Sequence, residues 1–419
     1  MLGGNYLSLL KNRQFMFLIS GRLLTNIADS LYYVAAMWIV YDLTKDPLYT
    51  GIAGFLTSLP MAFQFLVGPL VDRWRVKQIL IWTQFIQFLC ILLIPILHFV
   101  GVLNVYWILV ILPIASTIQQ FAYPAQSKAL PLVVEKDQLL KANSSFSFVY
   151  QGIDFILNAV SGIIIAAIGA ISLFLFDAVL FAMTTLLFMF LTLQAVQNSD
   201  ETREKKPYFS ELKIGVKYVS SSVLGLFTIG AVCANLAIGG ITALLPVYSA
   251  KMGGSEVYGY YLAAMSIGGL AGAALAPIFG KYKIGKIYIL SFFVAVLMFV
   301  WTVFTNNLIV SLIAFTMIWV STGTTRIFVP SLVQKLVPNF MLGRVLSVQA
   351  SASTMSIPVG SLLFGALAKS IDVQYALLLC SIPFVLMLLV WSLLPTLRKM
   401  PTIEQIDEST LRLPVLNKI

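Results

Sequence analysis

The chain has 419 residues, of which 59% are hydrophobic and only 11% are charged, and its mean hydropathy is +0.92. Soluble domains carry about 25% charged residues, so this composition excludes a chain that folds around aqueous cores and makes the bilayer its main solvent. A net charge of +10 could suit a nucleic-acid partner. Here, however, the basic residues lie in short segments between apolar runs, which favours a membrane protein.

Apolar stretches long enough to cross a bilayer recur along the chain. The first begins near Phe15 and has no small-residue cleavage pattern, so we expect it to remain as a membrane helix. The sequence predicts an all-α membrane protein with about twelve membrane helices. The predicted spans are 15–41, 48–71, 78–100, 104–127, 142–168, 170–195, 222–249, 256–279, 287–305, 308–331, 345–369 and 373–396.

The loops between these spans differ in charge on the two sides of the membrane. One side collects nearly all the basic loop residues, whereas the other has only Lys45, Lys251 and Lys369. Cytoplasmic loops are enriched in Lys and Arg. The pattern therefore predicts a multi-pass protein of the cell membrane with both termini in the cytoplasm.

The two halves of the chain resemble each other. Four residues after the fourth span recur after the tenth, 206 residues later for the first pair and 207 for the others: Pro124 and Pro330, Lys128 and Lys335, Pro131 and Pro338, Leu139 and Leu346. A shared offset near half the chain length indicates duplication. We predict two pseudo-symmetric six-helix bundles at 1–196 and 222–397, a linker at 197–221 and a cytoplasmic tail at 398–419.

The predicted linker is the longest polar segment inside the chain. After its charged part, apolar residues recur at helical spacing while Lys213 and Lys217 lie on another face. This pattern predicts an amphipathic helix on the cytoplasmic surface.

Polar residues follow one face of several predicted helices. In the first helix they are Arg22, Thr25, Asn26, Asp29 and Tyr33; in the fifth they are Asn143, Ser147, Tyr150, Gln151, Asp154, Asn158 and Ser161; in the tenth they include Trp319, Thr322 and Arg326. Such faces are costly in lipid, so they predict a cavity that they line. Tyr123, Tyr150 and Trp319 lie near these faces, where their rings could stack on a bulky amphipathic cargo.

Two carboxylates lie near the middle of predicted helices. We predict that Asp29 and Asp154 each act in proton coupling or cargo binding, because burial lets a carboxyl group keep a proton near neutral pH. A structural role between helices is the alternative for both. Arg22 fits a coupling or cargo role or a position snorkelling to the interface, and Arg326 fits a cavity cation or an anchor at a helix end. For Asp177 we expect a structural hydrogen-bonding role.

The segment between the second and third predicted helices carries the strongest motif, Gly68-Pro-Leu-Val-Asp72-Arg73-Trp-Arg75-Val-Lys77. It resembles the loop signature of the major facilitator superfamily, Gly-x-x-x-Asp-Arg/Lys-x-Gly-x-Arg/Lys-Arg/Lys. Gly68, Asp72, Arg73 and Lys77 match it, and Arg75 stands where the family has Gly. The resemblance implies that this loop takes part in the conformational switch.

A narrower resemblance is to the drug:proton antiporter branch, which includes macrolide-efflux proteins and a siderophore exporter. The matching segments are 29–32, 38–44, 124–126 and 176–178. The resemblance implies alternating access and proton-coupled efflux of amphipathic or cationic small molecules; the alternative is proton-coupled import or export of one metabolite or siderophore. It implies a monomer whose partners are small-molecule cargo, protons and lipid, with no nucleic acid.

The sequence gives no indication of an enzyme or of a cofactor. It contains no phosphate-binding loop, one histidine, His98, and three scattered cysteines, Cys90, Cys233 and Cys380. We therefore expect neither a nucleotide-driven pump nor a metal centre.

Overall fold

The computed structural model describes residues 9, 11–64, 67, 70–71, 74–135, 138–193 and 208–413. Regular structure in this part of the chain is helical. Ten helices there are long and apolar enough to cross a membrane. The all-α membrane fold predicted from the composition is therefore confirmed.

One compact unit comprises Met1–Lys45, Leu56–Glu201 and Gly253–Gly259. Its apolar core includes Leu18, Leu80 and Phe188. Asn12 caps the first helix by accepting hydrogen bonds from two backbone N–H groups, and Lys45 ends it in the left-handed conformation. The helices in the first half of the sequence are α1 (Arg13–Thr44), α2 (Pro47–Ala62), α3 (Val76–Phe99), α4 (Val105–Ala129), α5 (Leu139–Ile168) and α6 (Ala170–Met189).

The second compact unit comprises Asp46–Phe55, Thr202–Met252 and Tyr260–Ile419. The helices from the linker onward are α7 (Tyr208–Ser220), α8 (Leu224–Met252), α9 (Ser255–Phe279), α10 (Ile284–Phe304), α11 (Leu308–Arg326), α12 (Phe328–Leu336), α13 (Asn339–Thr354), α14 (Ser356–Ser370), α15 (Val373–Leu379), α16 (Ile382–Leu393) and α17 (Pro395–Arg398).

Three predicted spans of the second half are interrupted. The tenth divides into α11 and α12, the eleventh into α13 and α14, and the twelfth into α15 and α16. Proline explains the last break, because Pro383 lies at the start of α16, where a missing N–H costs no helical hydrogen bond. Hydropathy alone does not register such breaks, since the apolar run continues across them.

Glycines bring α8 and α14 into backbone contact within the second unit. A Cβ atom at Gly239 would collide with the Ile357 carbonyl, and one at Gly360 with the Leu236 carbonyl. Small residues allow this approach, and close packing is a main source of helix association in lipid.

Matched contacts in the two halves support the predicted duplication. Asn104 caps α4 and Asn307 caps α11, each by accepting two backbone N–H groups of the first turn. In the first half, Asn26 donates to the Val149 carbonyl at 3.1 Å. In the second, Asn235 donates to the Ser353 carbonyl at 3.0 Å.

The C-terminal tail, residues 399–413, is bound across the ends of several helices of the second unit. The backbone N–H groups of Val223 and Ile284 donate to the carbonyls of Leu411 and Pro401 at 2.8 Å and 3.0 Å. The Lys335 ammonium donates to two further tail carbonyls. The side chains of Met400, Ile406 and Leu411 are buried, so the tail is part of the packed structure.

Candidate functional site

Buried charged and amide side chains are concentrated in the first unit. Within the described residues, the charged ones are Arg22 and Asp177, and the amides are Asn26, Gln84, Gln87 and Gln126. The buried polar side chains that the structure describes in the second unit are, apart from tyrosine and tryptophan, serines and threonines. Because burying a charge or amide in a membrane protein is costly, this concentration marks the first unit as the candidate site.

A chain of amides connects Asp29 to the interior of this unit. The Gln87 amide donates to Asp29 Oδ1 at 3.2 Å, and the Gln84 amide donates to Gln87 Oε1 at 3.3 Å. The Thr25 hydroxyl then donates to Gln84 Oε1 at 2.9 Å. We call these residues, Thr25, Gln84, Gln87 and Asp29, the amide chain. Through Gln87 it binds one oxygen of the half-buried Asp29 carboxyl.

Arg22 lies about two helical turns before Asp29 in α1 and is buried, with 2% of its surface exposed. Its Nη1 donates to Gln126 Oε1 of α4 at 2.7 Å, and its guanidinium lies 4.7 Å from the centroid of the Tyr123 ring. Such a cation over an aromatic face is stabilised by the ring quadrupole. The structure thus buries Arg22 among the helices of the first unit, which disfavours the snorkelling position that the sequence left open as an alternative.

Asp177 is fully buried on α6, and within the described residues neither of its carboxyl oxygens has a hydrogen-bond partner. Among the described residues, the structure therefore shows no partner for the hydrogen-bonding role expected of Asp177. The helix that carries it, α6, packs against α1, which carries Asp29.

The other residues predicted from the sequence differ in how far they are buried. Asn26 and Trp319 are buried, Tyr33 is half-buried, and Tyr123 is 43% exposed. Arg326 lies exposed at the end of α11. In the signature loop, Arg75 is exposed and Lys77 half-buried. Outside the described residues lie Gly68, Asp72 and Arg73, together with the side chains of Tyr150, Gln151, Asp154 and Asn158.

Sequence reasoning missed the glutamines of the site. Gln84 and Gln87 are three residues apart in α3, and therefore share a helix face, and Gln126 lies in α4. The signal in the sequence that could have identified them was an isolated amide side chain inside an apolar run. No cluster of three metal-ligating side chains occurs in the part of the chain that the structure describes.

The fold and this buried polar site are those of a polytopic membrane transporter. The crystal structure of the nucleoside transporter NupG has the same fold, with a TM-score of 0.71. It is 12% identical, and the likeness covers 91% of this chain and 98% of that one. A family model described as transmembrane secretion effector matches residues 5–418. The chain therefore belongs to this family of the major facilitator superfamily, which confirms the resemblance predicted from the loop signature.

Several relatives are similar over most of their length. The staphyloferrin A transporter of Staphylococcus aureus is 25% identical over 368 residues, 84% of this chain and 89% of the relative. The multidrug efflux pump Tap of Mycolicibacterium fortuitum is 22% identical over 93% of this chain and 98% of its own. Macrolide efflux protein A of Streptococcus pyogenes is 22% identical over 92% of this chain and 97% of its own.

Proposed function

We propose that this transporter exports amphipathic or cationic small molecules in exchange for protons. The observation that carries the proposal is the position of Asp29, a half-buried carboxylate on a membrane helix that the amide chain connects to a buried polar interior. A carboxylate in such a site attracts a cation and also binds a proton. Competition between the two for Asp29 would couple their fluxes.

The relatives support the export direction. Two of them are named as efflux proteins, one for multiple drugs and one for macrolides. Aromatic rings near the site, such as that of Tyr123, suit an amphipathic cargo. Asp154, Arg22 and Arg326 complete the set of charged residues that we propose to act in coupling or cargo binding.

The alternative is transport of one metabolite or siderophore, in either direction. The named substrate of the staphyloferrin A transporter favours it. Arg22 also favours it, because a buried guanidinium can bind an anionic group of such a substrate.

Transport into inside-out membrane vesicles separates these functions. The lumen of such vesicles corresponds to the outside of the cell, so an acid lumen should drive accumulation of the lipophilic cation ethidium. We expect accumulation to depend on the protein and to stop when a protonophore removes the pH gradient. Asp29→Asn should reduce it at least about tenfold, because the amide cannot exchange a proton.

Asp42→Asn is the matched control, since Asp42 is an exposed carboxylate at the end of the same helix. It should keep the wild-type rate. Gradient-driven accumulation in right-side-out vesicles, or equal rates for Asp29→Asn and the wild type, would contradict proton-coupled export through Asp29.

A further inference from the structure

A groove on the surface of the first unit lies away from the candidate site. It runs between α3 and α4, which pack against each other, and it has a volume of about 510 Å³. Trp82 and Ile86 of α3 are four residues apart and share a helix face, which is opposite to Gln84 of the amide chain. The groove therefore faces lipid and not the polar interior. Its lining residues are Trp74, Gln78, Ile79, Trp82, Thr83, Ile86, Ile118 and Phe121.

The groove has the length of one membrane leaflet. Along α3 it extends from the start of the helix at Val76 to Ile86, which is about 15 Å by the rise of an α-helix. The hydrocarbon core of a bilayer is about 30 Å thick, so the groove spans half of it. The Trp74 and Trp82 rings are each more than half exposed, and the Trp74 ring stacks on that of Phe121 with the centroids 6.1 Å apart. Such flat apolar walls suit a single acyl chain.

The end of the groove at the start of α3 is basic. Arg75 directly precedes the helix and is exposed, and Lys77 in its first turn is half-buried. The sequence contains no Asp or Glu from residue 73 to residue 134, which includes all of α3 and α4. Asp72 and Arg73, whose formal charges cancel, lie outside the described residues. Two positive charges at one end of an apolar groove complement an anionic headgroup attached to an acyl chain.

We propose that this groove binds an anionic phospholipid, with one acyl chain between α3 and α4 and the phosphate at Arg75 and Lys77. A guanidinium can bind a phosphate through two parallel N–H groups, and the ammonium adds a second charge. A zwitterionic lipid brings the same chain, but its own cation offsets the charge of its phosphate, so the site should prefer the anionic lipid. In the orientation predicted from the loop charges, this end of the groove lies in the cytoplasmic leaflet, which carries the anionic lipids. The site does not depend on which cargo the transporter carries.

Photolabelling tests the lipid preference. The full-length protein in phosphatidylcholine nanodiscs receives a trace of phosphatidylglycerol or phosphatidylcholine with a diazirine in one acyl chain, and mass spectrometry maps the labelled peptides. The phosphatidylglycerol probe should label residues 74–86 and 118–121 at least about tenfold more than the phosphatidylcholine probe, because each basic residue near an anionic headgroup favours binding about fivefold. Arg75→Gln/Lys77→Gln should lower this ratio to less than about twofold. Lys283→Gln/Lys286→Gln is the matched control, since it removes two exposed basic residues at the start of α10, and it should keep the wild-type ratio.

A substitution that fills the groove separates a bound lipid from a general attraction to the basic surface. Ile118→Trp should reduce labelling of 74–86 by phosphatidylglycerol at least about fivefold, although both cations remain. Ile114→Trp, one turn earlier on the same helix, is exposed and outside the groove, so it should label like the wild type. If Ile118→Trp does not fold, Gln78→Trp at an exposed lining position takes its place.

Three results would overturn the proposal. A lipid preference that survives the filled groove would show attraction to the surface charge alone. Equal labelling by the two probes would show that the groove takes an acyl chain without regard to its headgroup. A groove that neither probe labels would have another occupant, such as a second copy of this chain.

Discussion

At the scale of single residues, the first unit pairs an arginine with an amide inside the membrane. Gln126 accepts from Arg22 at 2.7 Å, and both side chains are buried. The charge of Arg22 is stabilised by this acceptor and by the Tyr123 ring. Hydrogen bonds to charged groups are the stronger ones in proteins.

Gln126→Leu tests how much this pair contributes. The substitution removes the acceptor and keeps the shape, so it should lower the free energy of unfolding in detergent by about 1.5–3 kcal/mol. Gln120→Leu on the same helix is the control, because Gln120 bonds only a carbonyl of its own helix in the described contacts, and its effect should stay within about 0.5 kcal/mol. Denaturant titration monitored by tryptophan fluorescence gives both values. Equal effects would show that the arginine does not depend on this acceptor.

At the scale of elements, the C-terminal tail connects the ends of α8, α10 and α12. A short turn within it is held by Asp407, whose carboxylate accepts from the hydroxyl and the N–H of Thr410 and from Ser409. These hydrogen bonds, led by that of the Thr410 hydroxyl, lower the pKa of Asp407 to about 2. Because the pKa is lowered, these hydrogen bonds stabilise the turn fully above the ordinary pKa of Asp. The stabilisation is lost as the pH falls towards about 2.

Leu411→Ala should release the tail. Leu411 is fully buried, and truncation of a buried leucine costs about 2–5 kcal/mol. The rate of tryptic cleavage after Arg412 should rise at least about tenfold, because the protease acts on the opened tail. Gln405→Ala, at an exposed position of the same segment, should cleave like the wild type. Unchanged cleavage in Leu411→Ala would mean that the leucine does not hold the tail.

At the scale of the whole molecule, the charge of the loops predicts the orientation. We propose that both termini face the cytoplasm, that the bundles extend over 1–196 and 222–397, and that the protein acts as a monomer. Asn306 lies in the short loop between α10 and α11, and Gln405 lies in the tail; both are exposed. The orientation therefore places them on opposite sides of the membrane.

Single cysteines test this orientation in a background with Cys90, Cys233 and Cys380 replaced by alanine. A membrane-impermeant maleimide should label Asn306→Cys in intact cells, and Gln405→Cys only after the cells are permeabilised. The opposite pattern would invert the topology, and labelling of both in intact cells would exclude the proposed arrangement.

Much of the fold could be predicted because hydropathy is a local property of the chain. The predicted span 78–100 corresponds to α3 (Val76–Phe99), and 256–279 to α9 (Ser255–Phe279). The second span was predicted to extend to 71; α2 ends at Ala62, and residues 67, 70 and 71 are again helical. The polar face of α1 was also visible, since its spacing follows from helix geometry alone.

The partners of that polar face could not be predicted in the same way. Asp29 meets Gln87 of α3, and Arg22 meets Gln126 of α4, across sequence separations of 58 and 104 residues. Such contacts depend on which helices pack together and at what rotation.

The sequence by itself determined that the chain crosses a membrane many times and that α1 carries charge, because both follow from the composition of local segments. Only the tertiary structure decided that glutamines orient Asp29 and that Asp177 is left without a partner among the described residues, because hydrogen bonds between helices exist only once the helices are packed.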